Sequence, residues 1–170
     1  MLGGIFLYAA YHYQFNTPEI QANQIQRIRD VITPPLSIEK SSKGYQAIQL
    51  HLKSYPEFSF DLNGIALAET NARDFESNVK VGDTLTLEVL KEEYQKKLSR
   101  EIPLGFWDKT LNYSLVSVYG LRDQNSTYLH LADYNRAKQK DSPIGVWLFG
   151  LIGLWVLGTG IYMYSGKSGR

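Results

Sequence analysis

The side chains of this chain that could do chemistry are three histidines, one serine–lysine pair and a few carboxylates. His12, His51 and His130 are far apart, and no H-E-x-x-H or comparable ligand spacing links them, so no metal site is expected. His12 lies in an apolar N-terminal stretch. His51 and His130 fall on strand-like stretches, opposite the apolar neighbours, which is where solvated histidines sit. Ser37-Ile38-Glu39-Lys40 has the S-x-x-K spacing that brings a serine nucleophile and its lysine together at a helix start. Here Pro34-Pro35 precedes it and Ser41-Ser42 follows, so a loop is expected instead. Glu57, Asp61 and Asp83 are candidates for paired acid and base, but nothing in their spacing joins them, and Asp83 after Gly82 reads as a turn residue. Cysteine is absent, which excludes disulfides, thiolate metal sites and cysteine nucleophiles. G-x-S-x-G, the P-loop and G-x-G-x-x-G are all missing. The chain therefore reads as non-enzymatic, with no catalytic residue and no cofactor.

Charge removes another class of function. The net charge is +1 over 170 residues, and Lys167 and Arg170 lie beyond the last apolar stretch. A nucleic-acid binder needs a basic stripe or a basic domain, and neither is present.

The clearest signal is apolar length. From Ile144 to Tyr164 no residue is charged. About 21 residues at ~1.5 Å each give roughly 31 Å of helix, enough for a bilayer core of ~30 Å. Asp141-Ser142-Pro143 supplies a helix start. Trp147 sits near one end and Tyr162 and Tyr164 near the other, as interface anchors do. Gly150, Gly153 and Gly160 recur with Leu157 at near-heptad spacing, a face suited to helix packing in lipid. The expected partners are thus the bilayer and, through the glycine face, a membrane protein or a second copy.

Leu2 to Tyr13 is a second apolar stretch, short for a span. A signal peptide would need a basic start, which is missing. An interfacial segment is a further alternative. The preferred reading is the end of a first membrane helix whose start lies upstream, packed through Gly3, Gly4, Ala9 and Ala10 against the C-terminal helix. Basic residues are nearly tied on the two sides of the last span, so the side of the membrane stays open.

The elements between must form the rest. Ile48, Leu50 and Leu52 alternate with Gln49, His51 and Lys53, the period of a half-buried strand. Phe58, Phe60 and Leu62 alternate again, as do Leu85, Leu87 and Val89. Asn63-Gly64 signals a hairpin, with Ile65 to Ala68 returning as a strand. Gln24 to Ile32 is read as a strand, and Ile32 to Lys43, with Pro34-Pro35, as a loop. Asn71 to Asn78 predicts a helical turn, and Val79 to Asp83 a tight turn into the next strand. Glu92 to Leu98 predicts a short helix with Glu92–Lys96 and Glu93–Lys97 at i,i+4. Leu111 to Leu121 and Thr127 to Leu131 supply further strands, and Asp133 to Lys140 a helical lead into the span.

The expected fold is mainly β: a small antiparallel barrel or sandwich with short helices, a C-terminal transmembrane helix and a short N-terminal apolar helix. The boundaries are 1–15 for the apolar segment, 16–141 for the β-domain, 142–164 for the span and 165–170 for the tail.

Val79-Lys80-Val81-Gly82-Asp83 before the alternating Leu85 and Leu87, with Tyr128-Leu129 and Asp133-Tyr134-Asn135 before the last span, gives a layout that resembles bacterial membrane proteins of unknown function with a small β-module between two helices. The resemblance covers most of the chain and implies a bacterial inner or plasma membrane. It implies no catalytic residues. The first apolar stretch, Leu2 to Tyr13, is shorter than that pattern's first helix.

Candidate contact residues follow. Ile102 to Trp107 is apolar with Pro and Gly between charged flanks; it either plugs the domain or exposes Phe106 and Trp107 to a partner or lipid. Arg136, Lys138 and Lys140 flank the span and could meet anionic headgroups. The leading expectation is a membrane-anchored, non-enzymatic β-domain that binds or scaffolds at the membrane surface. The alternatives are an accessory subunit of an envelope or transport complex, and a membrane-bound hydrolase.

Overall fold

The computed structural model describes residues 18–42, 44–105, 113–140, 151, 152 and 155. The chain divides into two compact units, Ile20–Asn135 and a second formed by Met1–Glu19 with Arg136–Arg170. Among the described residues seven strands form one sheet: β1 (Ile25–Ser41), β2 (Gly44–Leu52), β3 (Tyr55–Leu62), β4 (Thr84–Leu90), β5 (Leu115–Ser117), β6 (Gly120–Arg122) and β7 (Thr127–Leu129). Their order is β5-β3-β2-β1-β4-β6-β7. Short helices punctuate them: α1 (Gly64–Glu69), α2 (Ala72–Asn78), and α3 (Lys91–Glu93) running into a π-helical turn at Tyr94–Leu98. A last helix, α4, covers 131–140.

The alternating stretches give the core directly. Ile48, Leu50, Leu52, Phe58, Phe60, Leu62, Leu85, Leu87 and Val89 are all at most 4 % exposed. Each such side chain contributes about 1.5–3 kcal/mol by leaving water. From the helices, Ala72, Phe75 and Val79 join the core at helical spacing.

The long strand β1 organises the sheet by changing partners midway. Ile25–Val31 pairs with β4, and from Ile32 onward β1 pairs with β2. The loop expected at Ile32 to Lys43 is therefore corrected: the strand runs to Ser41. Proline has no N–H to give the ladder, so Pro34-Pro35 sits in a bulge. Between Thr33↔His51 and Ser37↔Gln49, four steps on β1 face two on β2. Leu36 and Ile38 beyond it still pack on the core. Periodicity read over the prolines could not see a strand that absorbs them.

Asn63-Gly64 is corrected as well. Gly64, at φ +49°, opens helix α1 rather than a hairpin, and Ile65 to Ala68 is helical. Ala66, Leu67 and Thr70 are buried at helical spacing, and Ala and Leu are good helix formers. The turn at Gly82-Asp83 is as expected: Gly82 has φ +100° and Asp83 Oδ2 accepts the Lys80 N–H at 2.8 Å.

One pair departs from the antiparallel pattern: β3 and β5 run parallel. The i,i+4 pair Glu93–Lys97 explains how so short a strand is held. Lys97, 7 % exposed, bonds Glu93 at 2.7 Å and also donates to the Leu115 carbonyl, while Glu93 accepts from Ser117 N–H at 3.2 Å. Leu111 to Leu121 is thus not one strand. Two pieces flank Val118 and Tyr119, whose N–H groups donate to Asp61 of β3 and Glu88 of β4 at 3.1 and 2.8 Å.

Among the described residues no helix is long and apolar enough to cross a membrane. The stretch Ile144 to Tyr164 lies outside them except at positions 151, 152 and 155. Those three are helical, with Leu151 61 %, Ile152 38 % and Trp155 72 % exposed.

Candidate functional site

The chemistry-bearing residues picked out above do not converge. His51 is half-buried on β2 and His130 is exposed at the start of α4; His12 lies outside the described residues. Ser37 and Lys40 lie on a strand rather than a helix start. Lys40 Nζ binds both Glu76 carboxylate oxygens at 2.6 Å, and Tyr45 donates to the same carboxylate at 2.8 Å. That carboxylate's pKa is lowered by the lysine, and the cluster ties β1 and β2 to α2. Glu57 meets Arg100 at 3.2 Å. Asp83 serves its turn. Asp61 alone is buried, with Oδ2 accepting from Asn63 and Oδ1 lacking a hydrogen-bond partner. Burial raises its pKa above the usual carboxylate range. Among the described residues no three His, Asp or Glu side chains are grouped to hold a metal.

The contact candidates divide in the same way. Phe106, Trp107, Gly150, Gly153 and Gly160 lie outside the described residues. Arg136, Lys138 and Lys140 fall on α4, as the helical lead required. Lys138 Nζ donates to the Pro18 carbonyl at 3.4 Å, and Gln139 donates to Glu19. The residues after the first apolar stretch thus lie beside those before the second.

Within the β-unit a second clasp repeats the theme. The Asn135 amide accepts from the Ile20 N–H at 3.1 Å and donates to the Ile20 carbonyl at 2.9 Å. An amide side chain here matches both backbone groups of one residue, as a neighbouring strand would. Tyr134 beside it meets Tyr119 edge-on at 5.0 Å between centroids. Burial pushes the Tyr119 hydroxyl pKa up to about 12 and raises that of Tyr134.

The chain matches no protein-family model, no curated protein and no solved structure. The geometry must therefore carry the functional reading alone.

A groove of about 690 Å³ opens on the β-unit within a few residues of that clasp, between β1, β4, β6, β7 and the start of α4. It was not legible in the sequence, because its charged residues, Arg27, Glu88 and Arg122, come from three separate strands. Arg27 on β1 faces Glu88 on β4 in the register, and Glu88 faces Gly120 on β6. Arg27 Nε meets Glu88 Oε1 at 2.9 Å, with side chains 65 % and 16 % exposed. Glu88 lies across Gly120, where a Cβ would strike it. Arg122 stands opposite Thr127 of β7, exposed, and among the described residues no carboxylate pairs with it.

Proposed function

We propose that this chain is a membrane-anchored β-module that binds or scaffolds at a bilayer surface and performs no chemistry itself. The observation that carries the reading is the clasp of Pro18 and Glu19 against Lys138 and Gln139. Each pair lies a few residues from an apolar stretch in the sequence, so the described flanks of the two stretches lie together. The charge-free run Ile144 to Tyr164 is long enough to span. Its described residues agree with lipid contact: Leu151 and Trp155 are helical with 61 % and 72 % of their surface uncovered, a costly state in water for large apolar side chains. The layout resemblance to bacterial membrane proteins with a β-module points the same way, to an inner or plasma membrane.

The module itself is best read as a small barrel. The segment from Leu115 to Arg122 hydrogen-bonds β3 with its first half and β4 with its second. One short piece of chain thus joins the two ends of the β3-β2-β1-β4 sheet. Closure would remove exposed strand edges, which otherwise invite unwanted pairing.

The test is charge insertion. L151R with W155R places two charges in the stretch, each costing about 2.5–3.5 kcal/mol at the centre of a spanning helix. The double variant should move from the membrane to the soluble fraction, while L151I with W155F stays. Equal membrane retention of both would overturn the C-terminal stretch as the anchor.

A further inference from the structure

The groove is lined by two kinds of side chain. Arg27, Arg122 and Thr127 are polar or charged, with Glu88 paired to Arg27. Ala22, Ile25, Leu131 and Ala132, which also line it, are small or apolar. The outward face of these strands also carries Arg29, opposite Thr86. Three arginines against the single carboxylate of Glu88 make this face cationic.

The arginines are not equivalent. Arg27 is partly neutralised through Nε by Glu88, which fixes its guanidinium while its remaining donors stay free for a ligand. Glu88 can lie there only because Gly120 offers no Cβ. Arg122 is exposed, with no carboxylate paired to it among the described residues. A guanidinium presents a planar fork of donors that fits a phosphate or carboxylate oxyanion, and such bonds are stronger than neutral ones. The Thr127 hydroxyl adds a further donor on the Arg122 side.

We infer that this groove is a binding site for a phosphate-type anion with an apolar or small neighbouring group, held by Arg122 and Arg27. The inference rests on the anchored-module reading for its preferred source, an anionic phospholipid headgroup. The groove includes residues 22 and 130–132, two residues from Ile20 and three from Asn135, where the chain leaves the β-unit. That closeness along the chain to both exits from the β-unit favours a headgroup as the source. Free phosphate compounds share the chemistry, and the experiment separates the two.

The full chain is purified in a neutral mild detergent. Its melting is followed with inorganic phosphate against chloride at equal ionic strength, and in micelles doped with phosphatidylglycerol against phosphatidylcholine. Arg122→Ala, Arg122→Lys and the remote Lys53→Ala are compared. The intact chain should gain stability from phosphatidylglycerol, and R122A should weaken that anion's apparent affinity by about tenfold or more. R122K should lose less, and K53A should match the intact chain. A response to phosphatidylglycerol alone assigns a lipid headgroup; a response to inorganic phosphate as well assigns a smaller phosphate ligand. No response to either anion, or an equal response in R122A, overturns the site. R122A should melt like the intact chain without anion, so that a folding defect is seen as such. Failure of anchoring would show separately, as a chain that leaves the membrane fraction yet still answers to inorganic phosphate.

Discussion

Asp61 is a carboxylate in a place where its type is rarely found. It is 6 % exposed, its Oδ1 has no hydrogen-bond partner, and burial is the main cause of its raised pKa. Hydrogen bonds from Gln49 and Asn63 offset that only in part. A carboxyl whose folded pKa lies above its unfolded value of ~3.9 favours the fold in its protonated form. Its stabilising contribution is complete below the unfolded pKa and is lost as pH rises through the folded value. Asp61→Asn, which cannot ionise, should therefore be at least as stable as the native chain at neutral pH. The difference should shrink on acidification below about pH 4. Urea unfolding of both chains across pH measures it; an Asn variant that loses ground as pH rises would contradict the account. The sequence marked Asp61 as a carboxylate worth attention but gave no sign of its burial, because it follows Phe60 and precedes Leu62 where strict alternation would turn it outward. All three are buried: Leu62 and Phe60 belong to the core, while Asp61 takes a hydrogen bond from Asn63 on its carboxylate and one from the Val118 N–H on its backbone carbonyl.

Elements were legible where one physical rule governed them. The strands β2, β3 and β4 follow the period of two, and their apolar set is the core. The short helices at Ala72–Asn78 and Lys91–Glu93 follow from capping and i,i+4 charge; Asn71 accepts from the Asp74 N–H, and Glu92 meets Lys96 at 2.7 Å. Where two rules competed the reading failed. Pro34-Pro35, read as a loop signal, hid the strand β1, and the Asn-Gly turn signal hid the helix α1; Ile38 packs against the core from that strand and Leu67 is buried in that helix. The parallel β3–β5 pair had no local signal, because its hold comes from Lys97 and Glu93 acting at a distance. The groove was hidden for a similar reason: Arg27 and Glu88 are 61 residues apart. The clasp between the two chain ends gives an element-scale prediction. The chain has no native cysteine, so Glu19→Cys with Gln139→Cys can be treated with a short bismaleimide without background. An intramolecular crosslink should form in most molecules, because the native side chains hydrogen-bond each other. A pair that reacts only with free maleimide would show that the ends do not run together.

At the scale of the whole molecule, one unit holds a buried β-core and the other brings Pro18 and Glu19 to Lys138 and Gln139. The length and purity of Ile144 to Tyr164 were the most readable features of the sequence, since a bilayer sets one simple requirement. The groove proposed as an anion site was not readable, because its charged residues are brought together only by folding. The claim on which everything else depends is that the chain is integral to a membrane. Alkaline carbonate strips peripheral proteins by breaking electrostatic contacts, whereas a spanning helix stays because its apolar length has nowhere else to go. The intact 170-residue chain, expressed in bacteria and extracted with carbonate, is predicted to remain in the membrane pellet. Its release into the supernatant would contradict the account.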